Sequence, residues 1–200
     1  RLGRVNRMAC LIFDFMRFLF LFCIASLLST EGLAQSEFLF RCSSGSVHFK
    51  SDAPLEMIQA KSQSLKGILN PFENTFAWSV PILSFDGFNN GLQKGHFHEN
   101  YLETDRYPVA TFSGKIIEKV DYNRDQKMVI RAKGKLTIHG VEQERIIKVE
   151  VDMHPRVIIF ESTFSVQLQE HAINIPKIVH QKIAETVEVK VSGTLTRTQS

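Results

Sequence analysis

The feature that most limits what this chain can fold into is a strict two-residue alternation over residues 128–139. Met128, Ile130, Ala132, Gly134, Leu136 and Ile138 alternate with Val129, Arg131, Lys133, Lys135, Thr137 and His139. Successive side chains of a strand point to opposite faces, so this run is a strand with one apolar face and one wet face. The same period recurs at Phe76, Trp78, Val80 and Ile82. It recurs again at Ile147 to Met153, at Ile158 to Leu168 and at Val187 to Leu195. Further strands are expected over 37–41, 45–50, 64–70 and 109–119.

Turn signals separate these runs: Asn70-Pro71, Asp121 to Gln126, His139-Gly140 and His154-Pro155. About eight one-sided strands joined mostly by short turns predict an all-β, antiparallel sandwich or barrel. Three breaks interrupt the strands. Ser51-Asp52-Ala53-Pro54 predicts a helix start, with Asp as cap and Pro in the first turn. Residues 91–105 form the second break. His171 to Glu185 is the third, where Pro176 opens a short helix.

The N-terminal segment is of a different kind. Arg17, the apolar run Phe18 to Leu28 and the small residues of Gly32-Leu33-Ala34 form the pattern of a secretory signal peptide over residues 1–34. Met8 and Met16 are candidate starts. The expected product is one domain over 35–200, outside the cytoplasm, with no stable membrane insertion after processing. Residues 1–34 carry four Arg and two acids, leaving 20 basic and 19 acidic residues beyond them. That near-balance argues against a nucleic-acid partner. Of the three cysteines only Cys42 follows the leader, so no internal disulfide is available to the domain.

The stretch HFHENYLETDRYPVATFSG (residues 96–114) concentrates the polar chemistry. His96 and His98 could share a metal ion on a strand, but not on a helix, where residues two apart point apart. No further ligand pair with zinc spacing occurs, and no metal or cofactor is expected. Glu99, Glu103 and Asp105 have no nucleophile or oxyanion hole paired with them in sequence. The physical reading preferred here is structural: Phe97, Tyr101 and Leu102 plug the core from a short helix. Tyr107-Pro108 then stops that helix and launches Val109 to Phe112 as a strand.

Three stretches carry a resemblance to a known family. HFHENYLETDRYPVATFSGKI resembles the YceI segment in which a Y-P step leads into an A-T-F strand. GKLTIHGVEQE (134–144) resembles that family's L-T-I-H-G turn. FSVQLQEHAINIPKIVHQKIAETVEVKVSGTL (164–195) resembles its C-terminal half. The chain departs from many members at His98 to Leu102, where they carry R-D-x-H-L, which points to a variant subgroup. The resemblance implies a lipocalin-like, eight-stranded antiparallel β-barrel with short helices in its loops. It further implies a periplasmic or secreted protein with a polyisoprenoid, or a similar apolar or amphiphilic molecule, in its lumen.

On that fold the inward faces offer Trp78, Val80, Phe112, Ile130, Gly134, Leu136, Phe160, Phe164 and Val189 as lumen lining. Small residues (Ala132, Gly134, Ser162 and Gly193) leave room between them. The same alternation also suits a barrel filled by its own side chains. Three readings therefore stand: a non-enzymatic lipid-binding barrel, an enzyme with its site at the barrel mouth using His98, Glu99, His139 or His171, and a dry-core interaction protein. Homodimerisation stays open.

Overall fold

The structure, a computed structural model, describes residues 38–199. The leader expected over 1–34 lies outside the described residues. Eight strands follow one another around a closed barrel: β1 (Phe38–Asp52), β2 (Met57–Asn70), β3 (Thr75–Pro81), β4 (Val109–Ile116), β5 (Gln126–Ile138), β6 (Val141–His154), β7 (Val157–Gln167) and β8 (Thr186–Gln199). Every pairing is antiparallel, and β1 pairs with both β2 and β8, so the sheet closes on itself. Closure removes most of the free edge that an open sheet would expose, leaving it only where neighbouring strands part. The longer strands have 13–15 residues, which at 3.3 Å each makes them about 45 Å long.

The alternation read from the sequence sets the faces. Ile130, Ala132, Gly134 and Leu136 of β5 are buried, and Val129, Arg131, Lys133 and Lys135 are exposed. On the wet face Lys127–Asp152 (2.9 Å), Lys133–Glu144 (2.9 Å) and Lys135–Glu142 (2.7 Å) cross the β5–β6 pair. Exposed pairs of this kind add little stability, but they agree with the register that buries the other face. The β5–β6 connection is a two-residue turn in which His139 (φ 52°) and Gly140 (φ 71°) are both left-handed, matching the twist of the strands. The runs expected over 37–41 and 45–50 are one strand, β1, whose register shifts around Gly45 let it bend between its two neighbours.

Two local expectations are corrected. No helix starts at Ser51–Pro54. Asp52 still pairs with Met57, and Ala53 and Glu56 exchange backbone hydrogen bonds (3.0 and 3.3 Å) that close a tight turn. In the second break, helix α1 (Gly91–His96) is capped by the Asn90 side chain, which accepts from the Gln93 N–H at 2.9 Å, and widens into a π turn over Phe97–Tyr101. It ends at Glu103, which is left-handed (φ 42°), four residues before the expected Tyr107-Pro108 stop. Pro108 still precedes β4, as expected of a residue that cannot donate to a ladder. The third break holds 3₁₀ turns at Leu168–His171 and Lys177–Val179, the second just after Pro176.

The connections 53–56, 82–108, 139–140 and 168–185 gather at one end of the barrel. The other end receives 71–74, 117–125 and 155–156. This second end is a floor of aromatic rings. Phe40 has no solvent exposure and packs against Phe38 (5.7 Å between centroids) and Tyr122 (6.0 Å). The Tyr122 hydroxyl donates to Asn74 Oδ1 at 2.8 Å, so its buried polar atom has a partner.

Candidate functional site

Above the aromatic floor the barrel is hollow. A cavity of about 580 Å³ runs up the lumen and opens between the long connections. Its wall is mostly apolar, because the inward positions of all eight strands carry mainly aliphatic and aromatic side chains; Glu56, His96 and Lys182 stand at the mouth. Eight of the nine residues expected to line a lumen surround it: Trp78, Val80 and Phe112 from β3 and β4, Ile130 and Leu136 from β5, Phe160 and Phe164 from β7, and Val189 from β8. Trp78, Phe112, Phe164 and Val189 point inward and yet are only half-buried. Their remaining exposure faces the cavity, whereas a side-chain-filled barrel would have covered it. Trp78 of β3 and Phe160 of β7 reach from opposite walls and meet across the lumen at 4.8 Å, while Phe76 and Phe112 pack on neighbouring strands at 4.9 Å.

Gly134 is the exception. It faces inward but lies opposite Gly114, where β4 and β5 approach so closely that a Cβ would stand 2.3 Å from the Ser113 carbonyl oxygen. Its lack of a side chain serves strand contact and leaves no space for the lumen. Gly134→Phe would therefore breach the wall, not fill the cavity. A similar economy operates at Gly67, where the Trp78 indole lies across the paired strand and occupies the space a Cβ would take.

Sequence periodicity did not find the mouth. Phe49, Phe85, Phe88 and Phe97 form an aromatic cluster there, with Phe97 stacked on Phe49 at 5.3 Å and packed on Phe88 at 5.0 Å. Phe97 is thus the plug expected of the 96–108 stretch. Phe85 and Phe88 lie in a connection without period, so their only signal was an apolar SFDGF segment outside any strand. Ile173, Ile175 and Val179 close the other side of the mouth.

His96 is exposed at the mouth, while His98 turns into the protein with its Nδ1 3.2 Å from the Thr104 hydroxyl. The two rings do not converge. Among the described residues no group of three His, Cys, Asp or Glu side chains is placed to hold a metal. Glu99 and Asp105 are exposed, and Glu103 pairs with Arg106 at 2.7 Å. None of His98, Glu99, Glu103, Asp105, His139 or His171 is among the cavity-lining residues.

The polar residues of the three characteristic stretches meet elsewhere, at a seam. β6 and β7 pair only from Glu150–His154 to Val157–Glu161 and part above that. The 3₁₀ turn Leu168–His171 bridges the gap. Gln143 donates to the Glu170 carbonyl at 2.7 Å, Arg145 pairs with Glu170, and His171 Nδ1 lies 3.0 Å from the Val141 carbonyl. His139 Nδ1 lies 3.1 Å from the His171 carbonyl. Tyr107 packs edge-on against His139 at 4.7 Å and covers Gly140. The Y-P step, the H-G turn and the C-terminal half are therefore parts of one structural clasp.

That clasp is expected to respond to pH. Burial lowers the pKa of fully buried His171, and the Arg145 charge adds to the effect; the Val141 carbonyl and Glu170 oppose it. Burial likewise lowers the pKa of His98. Burial favours the neutral form of both imidazoles in the fold, while the unfolded chain takes up protons near the ordinary value of 6.5. Stability is then full well above pH 6.5 and falls as pH drops through it, because the unfolded state binds more protons. Urea titrations between pH 7 and 5 are expected to show this decline, with a shallower slope in His171→Asn. An equal slope in wild type and variant would remove His171 from the account.

A closed, eight-stranded up-and-down barrel with an apolar lumen open at one end is an architecture with room for one small ligand. Residues 35–195 match the model of the YceI-like domain, and the chain belongs to that family. No curated protein sequence matches it significantly. Among solved structures it is similar to a polyisoprenoid-binding domain from Saccharophagus degradans implicated in plant cell wall breakdown (15% identity, TM-score 0.67, covering 81% of this chain and 99% of that one). It is also similar to Burkholderia cenocepacia BcnA (15% identity, TM-score 0.62, 75% and 95% covered) and to a Campylobacter jejuni YceI protein (15% identity, TM-score 0.52, 70% and 84% covered). At these identities the likeness is one of fold.

Proposed function

We propose that this chain is a binding protein, not an enzyme, that sequesters or carries a long apolar or amphiphilic molecule of the polyisoprenoid kind in its lumen. The carrying observation is the apolar cavity of about 580 Å³ with inward side chains left partly uncovered. A pocket of that size and lining suits a ligand that is mostly hydrocarbon. Removing about 400 Å² of ligand surface from water at ~25 cal/mol per Å² is worth roughly 10 kcal/mol before the cost of immobilisation. The family membership and the polyisoprenoid-binding domain of similar fold support this class of ligand. The signal-peptide pattern of residues 1–34 supports a periplasmic or secreted setting.

Thermal unfolding with and without a long-chain isoprenol tests the reading, together with native mass spectrometry of protein purified from its own host. Ligand at a hundredfold excess over Kd should add ~2.7 kcal/mol, which raises Tm by roughly 5–10 °C for a domain of this size. No shift with any long-chain isoprenoid, and no bound mass, would pass the function to the protein surface.

A further inference from the structure

We propose that the open end of the barrel docks on an anionic lipid bilayer. This goes beyond ligand binding, and the surface is argued without it. Among the described residues the four most exposed large hydrophobic residues, Ile178 (92%), Leu92 (69%), Leu55 (67%) and Leu83 (66%), all lie in connections on the open side of the barrel. Single exposed hydrophobics are ordinary, but three of these sit on segments tied to one another. The Leu55 N–H donates to the Gln181 carbonyl at 2.8 Å, Asn89 Nδ2 to the Met57 carbonyl at 2.9 Å, and Gln93 to Glu56. Leu55, Leu92 and Ile178 therefore share one rim. Glu56, Leu92, Val179 and Lys182 of the same segments line the cavity, so the rim continues the apolar lumen outward.

Charge selects the partner. Residues 172–184 contain Lys177 and Lys182 and no carboxylate, while His180 lies 3.7 Å from Glu185. Neither lysine pairs with an acid among the described residues, whereas Lys94 is held by Asp86 at 3.0 Å. Projecting aliphatic side chains flanked by free lysines fit a lipid surface: the former enter the headgroup boundary and the latter attract anionic headgroups. A second copy set mouth to mouth would lay one lysine-bearing rim on another, because a two-fold contact places a patch on itself. Among the described residues the closed end has no matching rim; its connections expose only Phe72 (47%) and Ile117 (43%) among large hydrophobics.

Flotation on vesicles tests the proposal, using equimolar phosphatidylcholine and phosphatidylglycerol, and phosphatidylcholine alone. Wild type, Leu55→Glu/Ile178→Glu and the wall control Val129→Glu/Ile159→Glu all carry the same N-terminal segment, so residues 1–37 contribute equally. The wall residues have comparable exposure (54% and 50%) but lie on the outside of the barrel. Wild type and wall control should float with the anionic vesicles. The rim variant should partition at least tenfold less, and high salt or phosphatidylcholine alone should weaken wild type. The proposal is overturned if the rim variant floats like wild type or the wall control loses as much. It is also overturned if wild type is a dimer that the rim changes split, with no vesicle binding. Binding of a short, soluble isoprenol is measured separately without vesicles. The rim variant should bind it as wild type does, since neither Leu55 nor Ile178 lines the cavity. Absence of that binding in every form would end the ligand reading and leave the docking result standing.

Discussion

Phe40→Ala is expected to cost about 3–5 kcal/mol of stability, while Phe164→Ala, the same change of side chain, costs roughly 1 kcal/mol in the ligand-free protein. The difference lies in what each ring touches. Phe40 is wholly buried between Phe38 and Tyr122 on the barrel floor, so truncation removes packed atoms and leaves a hole. Phe164 is half-buried and turns its free side to an existing cavity, where fewer contacts are lost. Its loss should register in the bound state instead, as a smaller stabilisation by long-chain isoprenol. Urea unfolding of both variants with and without ligand decides the matter. Equal ligand-free costs would mean that the lumen is packed in solution and the hollow interior is not maintained.

Val189→Phe is expected to weaken binding of a chain-like ligand about a hundredfold with the barrel still folded. Val189 lines the cavity on β8, opposite Phe164 and Phe49 on the neighbouring strands, and is itself half-uncovered. A ring added there has space to enter and displaces the ligand's methylene groups. Excluding three or four of them at ~0.8 kcal/mol each forfeits about 3 kcal/mol, which is a hundredfold in Kd. Isothermal titration alongside circular dichroism separates loss of binding from loss of fold. Unchanged affinity in a folded variant would place the ligand elsewhere than the lumen. Gly134 cannot serve this test, since a side chain there meets the Ser113 carbonyl.

The sequence alone determined the strands, their inward faces and several of their turns. These are local properties: a two-residue period follows from covalent geometry, and His139-Gly140 makes its turn from its own backbone angles. That is why Trp78, Phe112 and Phe164 could be assigned to the interior without coordinates. Periodicity could not say whether inward side chains meet one another or surround a space, because both arrangements bury the same face. Only the tertiary structure decided that the floor at Phe40 is packed and the lumen above it is open. It also decided that Gly134 serves strand contact, since the closeness of β4 and β5 depends on two glycines twenty residues apart falling opposite each other. The mouth was hidden for the same reason. Phe85, Phe88 and Phe97 lie on connections without period and become a cluster only when β1 brings Phe49 to them. Tyr107, His139 and His171 likewise form a clasp through barrel closure, a long-range arrangement that no local pattern encodes.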